Sequence, residues 1–506
     1  MSSATTTATA KKVKVTKANP PEWHEVIIIG SGFGGLGAAI RLRQAGVKDV
    51  VILERYSDVG GTWRDNTYPG AACDIPSHLY SYSFAQNPNW SRAYSSSGEI
   101  LGYVHDLVAR FSLAPTIRFQ HTVTEARFEE ATASWRVITA EGAELRARHV
   151  IMASGGLANP SLPKINGIEQ FAGKTIHSAR WDHDYDFSGK RVAVIGTGAS
   201  AVQLIPELVK VADKVTVFQR TAGWILPRMD YQAPGWHKTL FKRLPRAQSL
   251  MRRALFWGHE SMAFSFIWST PMTRMVERIS TAFLRHQVKD KWLRRQLTPD
   301  FTIGCKRVLM TSDYYPALQQ PNCKLITWPI ATVSPKGIRT AEGIEHQVDC
   351  IVFATGFDIC KAGTPFKVTG VGGRVLAEEW AQGAQAYKSV NVSGYPNLSI
   401  ILGPNSGPGH NSALVYMESQ IGYIVNAITT AQRKGWGVMD VRPEVQKAYN
   451  VSIQRRLAKT NWNSGCKSWY LTEAGFNATM YPGFATQYAR QMTDFQAKHY
   501  RTEVIR

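Results

Sequence analysis

Short apolar runs that end in glycine recur along the chain and predict buried parallel strands. Five of these runs are rich in valine and isoleucine and do not alternate between polar and apolar positions. Strands that are covered on both faces by helices have this pattern. The runs are Val26–Gly30, Val150–Gly155, Val192–Gly196, Ile351–Gly356 and Leu398–Gly403.

Helical periodicity fills the segments between these runs. Leu36–Ala45 precedes Gly46, and glycine often follows the last turn of a helix. Ala199–Val211 has apolar residues three or four positions apart, and we expect Pro206 inside it to kink or shorten the helix. Strands that alternate with helices are typical of doubly wound α/β folds.

One long-range duplication is visible. Val26–Glu54 and Val192–Arg220 each contain an apolar strand, a glycine loop, a helix and a second apolar strand, and each ends in a charged residue 24 positions after its first glycine. The duplication predicts an α/β chain with two Rossmann-like dinucleotide-binding domains.

The first loop, Gly30–Gly35, has the spacing of a dinucleotide-binding turn. The first glycine permits a tight turn, the second lets the backbone approach a pyrophosphate, and the third allows the helix to pack closely on the strand. At the end of the next strand, Glu54 can accept hydrogen bonds from ribose hydroxyls. The alternative is a glycine-rich turn without a ligand.

The second loop, Gly196–Ala201, is followed by a basic residue where the first has an acidic one. Arg220 and the hydroxyl of Thr221 are suited to bind a 2′-phosphate, which distinguishes NADP from NAD. The alternative is that Arg220 is a solvated surface charge. We therefore predict FAD at the first loop and NADPH at the second.

Positive charge is concentrated in one part of the chain. The 59 Lys and Arg exceed the 38 Asp and Glu by 21, and segment 238–296 alone holds thirteen of the cations against three carboxylates. No zinc-finger spacing or RNA-recognition signature accompanies this charge, so we expect no nucleic-acid partner. Helical spacing predicts a helical insertion over 223–302 whose apolar side packs on the core. Weak contact of 238–296 with an anionic membrane surface is the alternative. The helical spacing is seen in Leu244, Met251 and Leu255, and in Met275, Ile279 and Phe283.

Several classes of protein are excluded by composition. The 506 residues suffice for about three domains, and no apolar run approaches the length that spans a bilayer. Residues 1–20 are rich in Ser, Thr, Ala and Lys and predict a disordered tail. The six cysteines form no CxxC pair and are too few for a disulfide scaffold, which favours a reducing cytoplasm. We predict no metal site.

Motifs in three places resemble the type I Baeyer-Villiger monooxygenases. The segment before the second loop matches their fingerprint FxGxxxHxxxW(P/D), whereas the N- and S-oxygenating flavin monooxygenases generally carry Tyr at the Trp position. Gly60–Asp74 resembles the family segment GGxWxxxx(Y/F)PGxxxD, and Gly304–Arg307 resembles its active-site Lys-Arg pair. The resemblance covers residues 22–485. The fingerprint residues are Phe171, Gly173, His177, Trp181 and Asp182.

The resemblance implies a division of the chain and a reaction. An FAD domain would comprise 21–160 and 360–506, an NADPH domain 161–222 and 303–359, with the insertion between the two parts of the latter. The family uses NADPH and O2 to insert one oxygen next to a ketone carbonyl through a C4a-peroxyflavin, giving an ester or lactone. Two other functions stay open: oxygenation of amines or sulfides, and a flavin-binding sensor without turnover.

The resemblance also implies which residues contact the cofactors. The implied FAD contacts are Gly30, Gly32, Phe33, Gly35, Glu54, Thr62, Trp63, Asp74, Tyr80 and Val123. The implied NADPH contacts are Gly196, Thr197, Gly198, Ala199, Ser200, Gln203, Arg220, Thr221 and Lys306, and Trp469 contacts the nicotinamide ribose or the substrate cavity.

Two residues are expected to carry the catalysis. Arg307 is a guanidinium that stays charged and can stabilise a peroxide and a carbonyl oxygen together, and Asp74 can orient it. The alternatives are phosphate binding beside Lys306 for Arg307 and a turn carboxylate for Asp74. His177 is expected to lie at a hinge or a domain contact. For Trp469, the alternative to a cofactor or substrate contact is that it is an ordinary core tryptophan.

Overall fold

The computed structural model describes residues 21–358, 364–466 and 468–504, so the expected tail 1–20 and Cys360 lie outside the described residues. The strands are β1 (Glu22–Ile29), β2 (Val50–Leu53), β3 (Ile117–Arg118), β4 (Val123–Glu129), β5 (Ser134–Thr139), β6 (Glu144–Met152), β7 (Lys174–His177), β8 (Arg191–Ile195), β9 (Lys214–Phe218), β10 (Ile225–Leu226), β11 (Leu309–Met310), β12 (Cys323–Ile326), β13 (Ile330–Ser334), β14 (Gly337–Thr340), β15 (Glu345–Gln347), β16 (Cys350–Phe353), β17 (Lys367–Thr369), β18 (Leu398–Ile400), β19 (Trp436–Val441) and β20 (Tyr500–Val504).

The α-helices are α1 (Phe33–Gln44), α2 (Thr62–Asp65), α3 (Ser97–Arg110), α4 (Ala199–Val211), α5 (Gly235–Arg243), α6 (Pro245–Ser261), α7 (Ala263–Phe266), α8 (Pro271–Gln287), α9 (Lys291–Gln296), α10 (Tyr314–Leu318), α11 (Leu376–Glu379), α12 (Ala413–Lys434), α13 (Pro443–Leu457) and α14 (Ala485–Met492). Short 3-10 helices occupy Ala114–Thr116, Ile168–Gln170, Val371–Gly373, Asn461–Asn463 and Ala497–His499.

The larger sheet carries the first glycine loop. Its strands run in the order β17-β4-β5-β6-β1-β2-β3, and β18 also pairs with β6. β1 lies parallel to both β2 and β6, with Val26 opposite Val50 and His149. Val26, Ile27 and Ile28 are fully buried, as strands covered on both faces require. β4, β5 and β6 form an antiparallel meander at one side.

The second sheet carries the second glycine loop and is parallel throughout. Its order is β12-β9-β8-β16-β7, so β8, which leads into the loop, is flanked by β9 and β16. Two separate parallel-sheet units, each with a glycine loop after a central strand, confirm the predicted α/β fold with two Rossmann-like domains.

The apolar runs of the sequence predicted these strands correctly. The five runs form β1, β6, β8, β16 and β18, and each pairs in parallel with a neighbour. The expected shortening at Pro206 is wrong, because α4 continues through it to Val211. Leu204, Ile205 and Leu208 around the proline are buried, and their packing outweighs the lost backbone hydrogen bond.

Helices α5 to α9 lie between β9 and β12 and form the predicted helical insertion. The expectation that its apolar side packs on the core is only partly correct. Leu255 and Phe283 pack against core clusters, but Leu244, Met275 and Ile279 are exposed. Within the described residues, no helix is long and apolar enough to cross a membrane.

A disulfide joins Cys305 to Cys466, which are 161 residues apart. The low cysteine content did not indicate this link, because pairing across such a separation leaves no local spacing signal. Cys73, Cys323 and Cys350 are free thiols.

Candidate active site

The first glycine loop is lined by backbone atoms. Gly30 has a φ of +105°, and a Cβ there would lie 2.7 Å from the carbonyl oxygen of Ala153. A Cβ on Gly35 would lie 1.9 Å from the carbonyl oxygen of Gly30. Gly32 precedes α1 without a side-chain cap, so the first amides of the helix are available to a phosphate. The loop therefore fits a dinucleotide pyrophosphate.

Glu54 lies buried directly after β2 and faces this loop. The Ser31 amide and hydroxyl donate to Oε2 at 3.0 and 2.6 Å, while the Tyr56 amide and Arg64 Nη1 donate to Oε1 at 3.0 and 3.1 Å. The motif predicted Glu54 but gave no sign of Ser31 or Arg64, because neither occupies one of its specified positions. These donors hold the carboxylate beside the glycine loop.

The second loop repeats the backbone turn but is more open. Gly196 has a φ of +118°, and its Cβ would lie 2.3 Å from the carbonyl oxygen of Ala354. A Cβ on Gly198 would meet nothing within 4 Å. Gly198 precedes α4, which begins at Ala199, and no side chain caps the helix. The Thr197 hydroxyl donates to the Thr221 carbonyl at 3.2 Å and ties the loop to the end of β9.

Two cations lie beside the second loop. Arg220 is exposed just after β9, and the Lys306 ammonium lies 4.8 Å from the centre of the Phe301 ring. Burial, followed by the positive charge of Arg220, lowers the pKa of Lys306. A phosphate placed between two such cations would relieve their repulsion, so this arrangement fits the 2′-phosphate of NADP.

Gln203, an expected NADPH contact, forms hydrogen bonds between the two units. Its Oε1 accepts from the Tyr68 hydroxyl at 2.8 Å, and its Nε2 donates to the Ala72 carbonyl at 3.0 Å. A Cβ on Gly70 would lie 2.6 Å from the Gln203 carbonyl oxygen. Gln203 thus joins α4 of the second unit to the segment that leads into Asp74.

Asp74 and Arg307, 233 positions apart, form an ion pair. Nη2 of Arg307 donates to Oδ2 of Asp74 at 2.5 Å, and the side chains of Arg307 and Asp74 are 34% and 28% exposed. The Asp74 charge raises the already high pKa of Arg307, and Tyr470 adds to the shift. The resemblance predicted both residues, and the structure brings them together.

The backbone around Asp74 is held by a residue that the sequence did not reveal. Nη2 of Arg228 donates to the carbonyls of Cys73 and Tyr94 at 3.3 and 3.4 Å. The Cys73 amide donates to the Ser95 carbonyl at 3.0 Å, and burial raises the pKa of the Cys73 thiol. Arg228 follows β10 and belongs to no motif, so no local signal pointed to it.

Three predicted FAD contacts form one aromatic cluster near the first loop. The Trp63 Nε1 donates to the Tyr80 hydroxyl at 3.1 Å, and Tyr80 packs edge-on against Phe33 with ring centres 5.7 Å apart. Burial raises the pKa of Tyr80. Thr62 opens α2 just before Trp63, and Val123 is the buried first residue of β4.

The C-terminal segment lies near Arg307. Tyr470 is buried, and burial raises its pKa to about 12 against the opposing charge of Arg307. Trp469 is 46% exposed and packs edge-on against Tyr470, with ring centres 4.4 Å apart. The disulfide between Cys305 and Cys466 connects this segment to the loop before Arg307.

The fingerprint residues lie before, on and after the edge strand β7 of the second sheet. Burial lowers the pKa of His177, and backbone hydrogen bonds at Ser161 and Gly356 oppose that shift. Ser161 and Gly356 belong to the two connections between the sheets. The remaining four residues make local contacts: a Cβ on Gly173 would meet Phe171, Trp181 stacks on Phe187 at 5.2 Å, and Asp182 pairs with Lys174 at 2.5 Å.

The fold and the site together define the class of protein. In one unit a buried carboxylate faces the glycine loop, and in the other two cations lie beside the loop. An arginine and a carboxylate pair in the same molecule. This is the arrangement of a flavin-dependent oxidoreductase with two dinucleotide-binding domains.

Comparison with known proteins identifies the family. Residues 27–251 match the model of the pyridine nucleotide-disulphide oxidoreductases. A Baeyer-Villiger monooxygenase of Streptomyces coelicolor is 42% identical over 473 residues, which cover 93% of this chain and 91% of the relative. Another from Pseudomonas aeruginosa is 41% identical, covering 94% and 91%. The chain belongs to the Baeyer-Villiger monooxygenases.

Solved structures agree with this assignment. Cyclohexanone monooxygenase in its closed form superposes with a TM-score of 0.87 at 26% identity, covering 96% of this chain and all of that one. A steroid monooxygenase bound to NADP gives 0.85 at 29% identity, covering 95% and 100%. The predicted cofactors FAD and NADP are confirmed by these relationships. The chain is an FAD- and NADPH-dependent monooxygenase that uses O2 to oxygenate ketones, and the two alternative functions are not supported.

Proposed function

We propose that Arg307 is the catalytic cation of this ketone oxidation and that Asp74 positions it. The observation that carries the proposal is their ion pair at 2.5 Å, beside the buried Tyr470. Ester formation passes through negatively charged oxygen, and a guanidinium stabilises this charge without giving up its proton. A prealigned donor of this kind typically contributes about 10²- to 10³-fold in rate.

The cofactor contacts are proposed on the same basis. FAD, when bound, supplies the redox chemistry and the activation of O2. The chain would hold it with the first glycine loop, Glu54 and the aromatic cluster of Phe33, Trp63 and Tyr80. It would hold NADPH with the second loop and with Arg220, Thr221 and Lys306. Gln203 would act between the two units, because its amide already bridges them.

We further propose the division of the chain that the resemblance implies. An FAD domain of 21–160 and 360–506 is supported by β17 and β18, which join the larger sheet from the C-terminal half. An NADPH domain of 161–222 and 303–359 is supported by the second sheet, whose strands all fall in those ranges. The insertion 223–302 is supported by helices α5 to α9.

Replacing Arg307 by alanine tests the catalytic proposal. We expect Arg307→Ala to lower the rate of ester formation by about 10²- to 10³-fold, because the developing oxyanion loses its cation. NADPH should still bleach the flavin absorbance, since hydride transfer does not use this charge. The two rates are measured by product mass spectrometry and by stopped-flow absorbance. Arg339→Ala, an exposed arginine on β14, is the matched control.

Ester formation at the parental rate in Arg307→Ala would remove Arg307 from the mechanism. Loss of flavin bleaching as well would instead favour the alternative that Arg307 binds phosphate. Asp74→Asn separates the positioning role: we expect a lower kcat for the ketone with an unchanged KM for NADPH.

The wider setting of the enzyme is also a proposal. We propose that it works in the cytoplasm and binds no nucleic acid, since the basic segment shows no recognition motif. Cytosolic thiols are normally kept reduced, so the Cys305–Cys466 bond provides the test. Alkylation of intact cells followed by non-reducing electrophoresis should find both thiols free, and a persistent disulfide would contradict the cytoplasmic assignment.

A further inference from the structure

Exposed apolar side chains are concentrated in the helical insertion. More than half of the large apolar side chains that are exposed in the described residues lie in 229–292, about an eighth of the chain. Scattered single exposures are normal, but a concentration of this kind marks an interaction surface. The side chains are Met229, Tyr231, Trp236, Leu244, Leu250, Trp257, Met262, Phe264, Met272, Met275, Ile279 and Trp292.

Helix α6 exposes two large apolar side chains, although its most buried side chains are polar. Its fully buried side chains are Gln248 and Glu260, whereas Leu250 and Trp257 are 68% and 61% exposed. Gln248 Nε2 donates to the Asn87 carbonyl at 2.7 Å, so its inward position is fixed by a specific contact. Leu255 and Phe256 pack against a core cluster, so α6 carries apolar residues on its outer side in addition to those that it packs inward.

Helix α8 also exposes apolar residues, although it buries Leu284 in the core. It buries the hydroxyls of Thr273 and Ser280, which donate to the Trp268 and Ile225 carbonyls at 2.8 and 2.7 Å. Met275 and Ile279 are 50% and 46% exposed on its outer side. Both helices therefore carry apolar residues on their outer side as well as on the side that packs on the core.

The carboxylates of the insertion are occupied within the protein. Glu260 is buried and accepts from Asn411 and Thr486. Burial alone would raise its pKa, but hydrogen bonds from His410 and Thr486 outweigh burial and lower the pKa to about 2. Glu277 accepts from the Ile303 amide at 3.0 Å, and Asp290 caps α9. Glu277 also lines the groove that holds three arginines of α8, so the cations of segment 238–296 remain in large excess over its three carboxylates.

Most cations of segment 238–296 are exposed. Arg252 pairs with Glu418, but within the part of the chain that the structure describes no other Lys or Arg of 238–296 forms an ion pair. Arg274, Arg278 and Arg285 line an open groove of about 830 Å³ along α8, beside Trp224. Such a groove can take up phosphate headgroups.

We propose that the outer sides of α6 and α8 bind the surface of a bilayer that contains anionic phospholipid. Arginine beside exposed Trp, Leu, Met and Ile matches the interfacial region, where headgroups carry negative charge and the acyl boundary accepts apolar side chains. Nucleic acid would match the charge but leave the aliphatic side chains in water. The attachment is peripheral, because only the outer side of each helix is exposed and, within the described residues, no helix is long and apolar enough to cross a membrane.

The inner side of α6 faces the active-site segment. Nη1 of Arg252 donates to the carbonyls of His78, Leu79 and Ser81 at 3.1, 2.9 and 2.7 Å. These residues flank Tyr80 and follow Asp74 in the chain. A membrane on the outer side is therefore separated from this segment by the helix itself.

Sedimentation with vesicles tests the proposal on the FAD-loaded full chain. At physiological salt, we expect the protein to pellet with phosphatidylcholine vesicles that contain about a third phosphatidylglycerol and to stay in the supernatant with pure phosphatidylcholine. Two double variants, Leu250→Ser with Trp257→Ser and Met275→Ser with Ile279→Ser, should each weaken the partition at least tenfold. Arg278→Gln should weaken it about fivefold.

The control is the double variant Trp328→Ser with Ile344→Ser, which removes equally exposed apolar side chains outside the insertion. It should bind vesicles like the parent. All variants should retain the flavin content and the turnover of a water-soluble ketone, which shows that they fold.

Three outcomes would overturn the proposal. The first is a parent protein that stays in the supernatant with both vesicles. The second is binding to single- or double-stranded nucleic acid that depends on Arg278 but not on the apolar pairs. The third is concentration-dependent dimerisation in light scattering that Met275→Ser with Ile279→Ser abolishes while vesicle binding is unchanged, which would assign the surface to a second copy of the chain.

Discussion

The two glycine loops share one backbone turn but differ in how closely their surroundings enclose them. In both, the first glycine has a positive φ and approaches a carbonyl at the end of the neighbouring strand, Ala153 for Gly30 and Ala354 for Gly196. A Cβ on Gly32 of the first loop would lie 3.7 Å from Gly61, whereas its counterpart Gly198 faces open space.

The charged residues beside the two loops also differ in how deeply they are buried. Glu54 is buried and its carboxylate accepts four hydrogen bonds, while Arg220 is exposed. A tightly enclosed cradle suits a nucleotide that stays bound through many turnovers. An open one suits a nucleotide that must leave once it has been oxidised. The same repeated motif can therefore serve a cofactor that stays bound at the first loop and a nucleotide that is exchanged at the second.

The largest effect is expected from replacing Gly35, the third glycine of the first loop. Gly35→Ala places a Cβ 1.9 Å from the Gly30 carbonyl oxygen, so the loop has to shift. We expect a loss of at least about 1–3 kcal/mol in the free energy of unfolding and a low flavin-to-protein absorbance ratio. The second loop already has Ala201 at this position, and Ala201→Gly should keep NADPH binding. Full flavin content in Gly35→Ala would contradict the close packing.

Removing Arg220 should affect only one nucleotide. We expect Arg220→Ala to raise the KM for NADPH about 10- to 100-fold, the usual contribution of a charged hydrogen bond, and to leave the KM for NADH unchanged. Lys214→Ala, at the opposite end of β9, is the matched control. Steady-state kinetics measures the KM for both nucleotides. An equal increase of the KM for NADPH and for NADH would mean that Arg220 does not bind the 2′-phosphate.

The smallest effect concerns pH, through a buried histidine in each sheet. Burial lowers the pKa of His149 on β6 to about 3 and also lowers that of His177 on β7. Because the unfolded chain binds these protons near pH 6.5, stability falls as the pH drops below that value. For His149 the loss is about 2 kcal/mol at pH 5.

Denaturant titrations between pH 7 and pH 4 measure this loss. His149→Gln should flatten the acid side of the stability curve more than His177→Gln, since His149 is the more completely buried ring. A reversed order would show that the second sheet encloses its histidine more tightly than the first.

The strands that carry both loops were predictable because their apolar runs are continuous. The meander β4 and β5 was not, since Val123–Glu129 mixes Thr, Glu and Arg with few apolar residues and its pairing depends on the neighbouring strands. Helix α4 shows the opposite case, where local sequence suggested a break at Pro206 that tertiary packing overrides.

The site was predictable to the extent that motifs contain it. Asp74 and Arg307 each stand in a motif, so the resemblance named both residues of a pair 233 positions apart. Arg228 lies in no motif and acts through backbone carbonyls, which leaves no trace in residue spacing. The outward apolar sides of α6 and α8 were also hidden, because periodicity shows that a stripe exists but not which way it faces.

The bond between Cys305 and Cys466 closes a ring of chain that contains Arg307 at one end and reaches almost to Tyr470 at the other. Closing a ring of this length lowers the entropy of the denatured chain, which stabilises the folded state by about 5 kcal/mol. Preparations handled with and without dithiothreitol are therefore two chemically distinct species. Their melting temperatures and turnover numbers are comparable only at a matched thiol count.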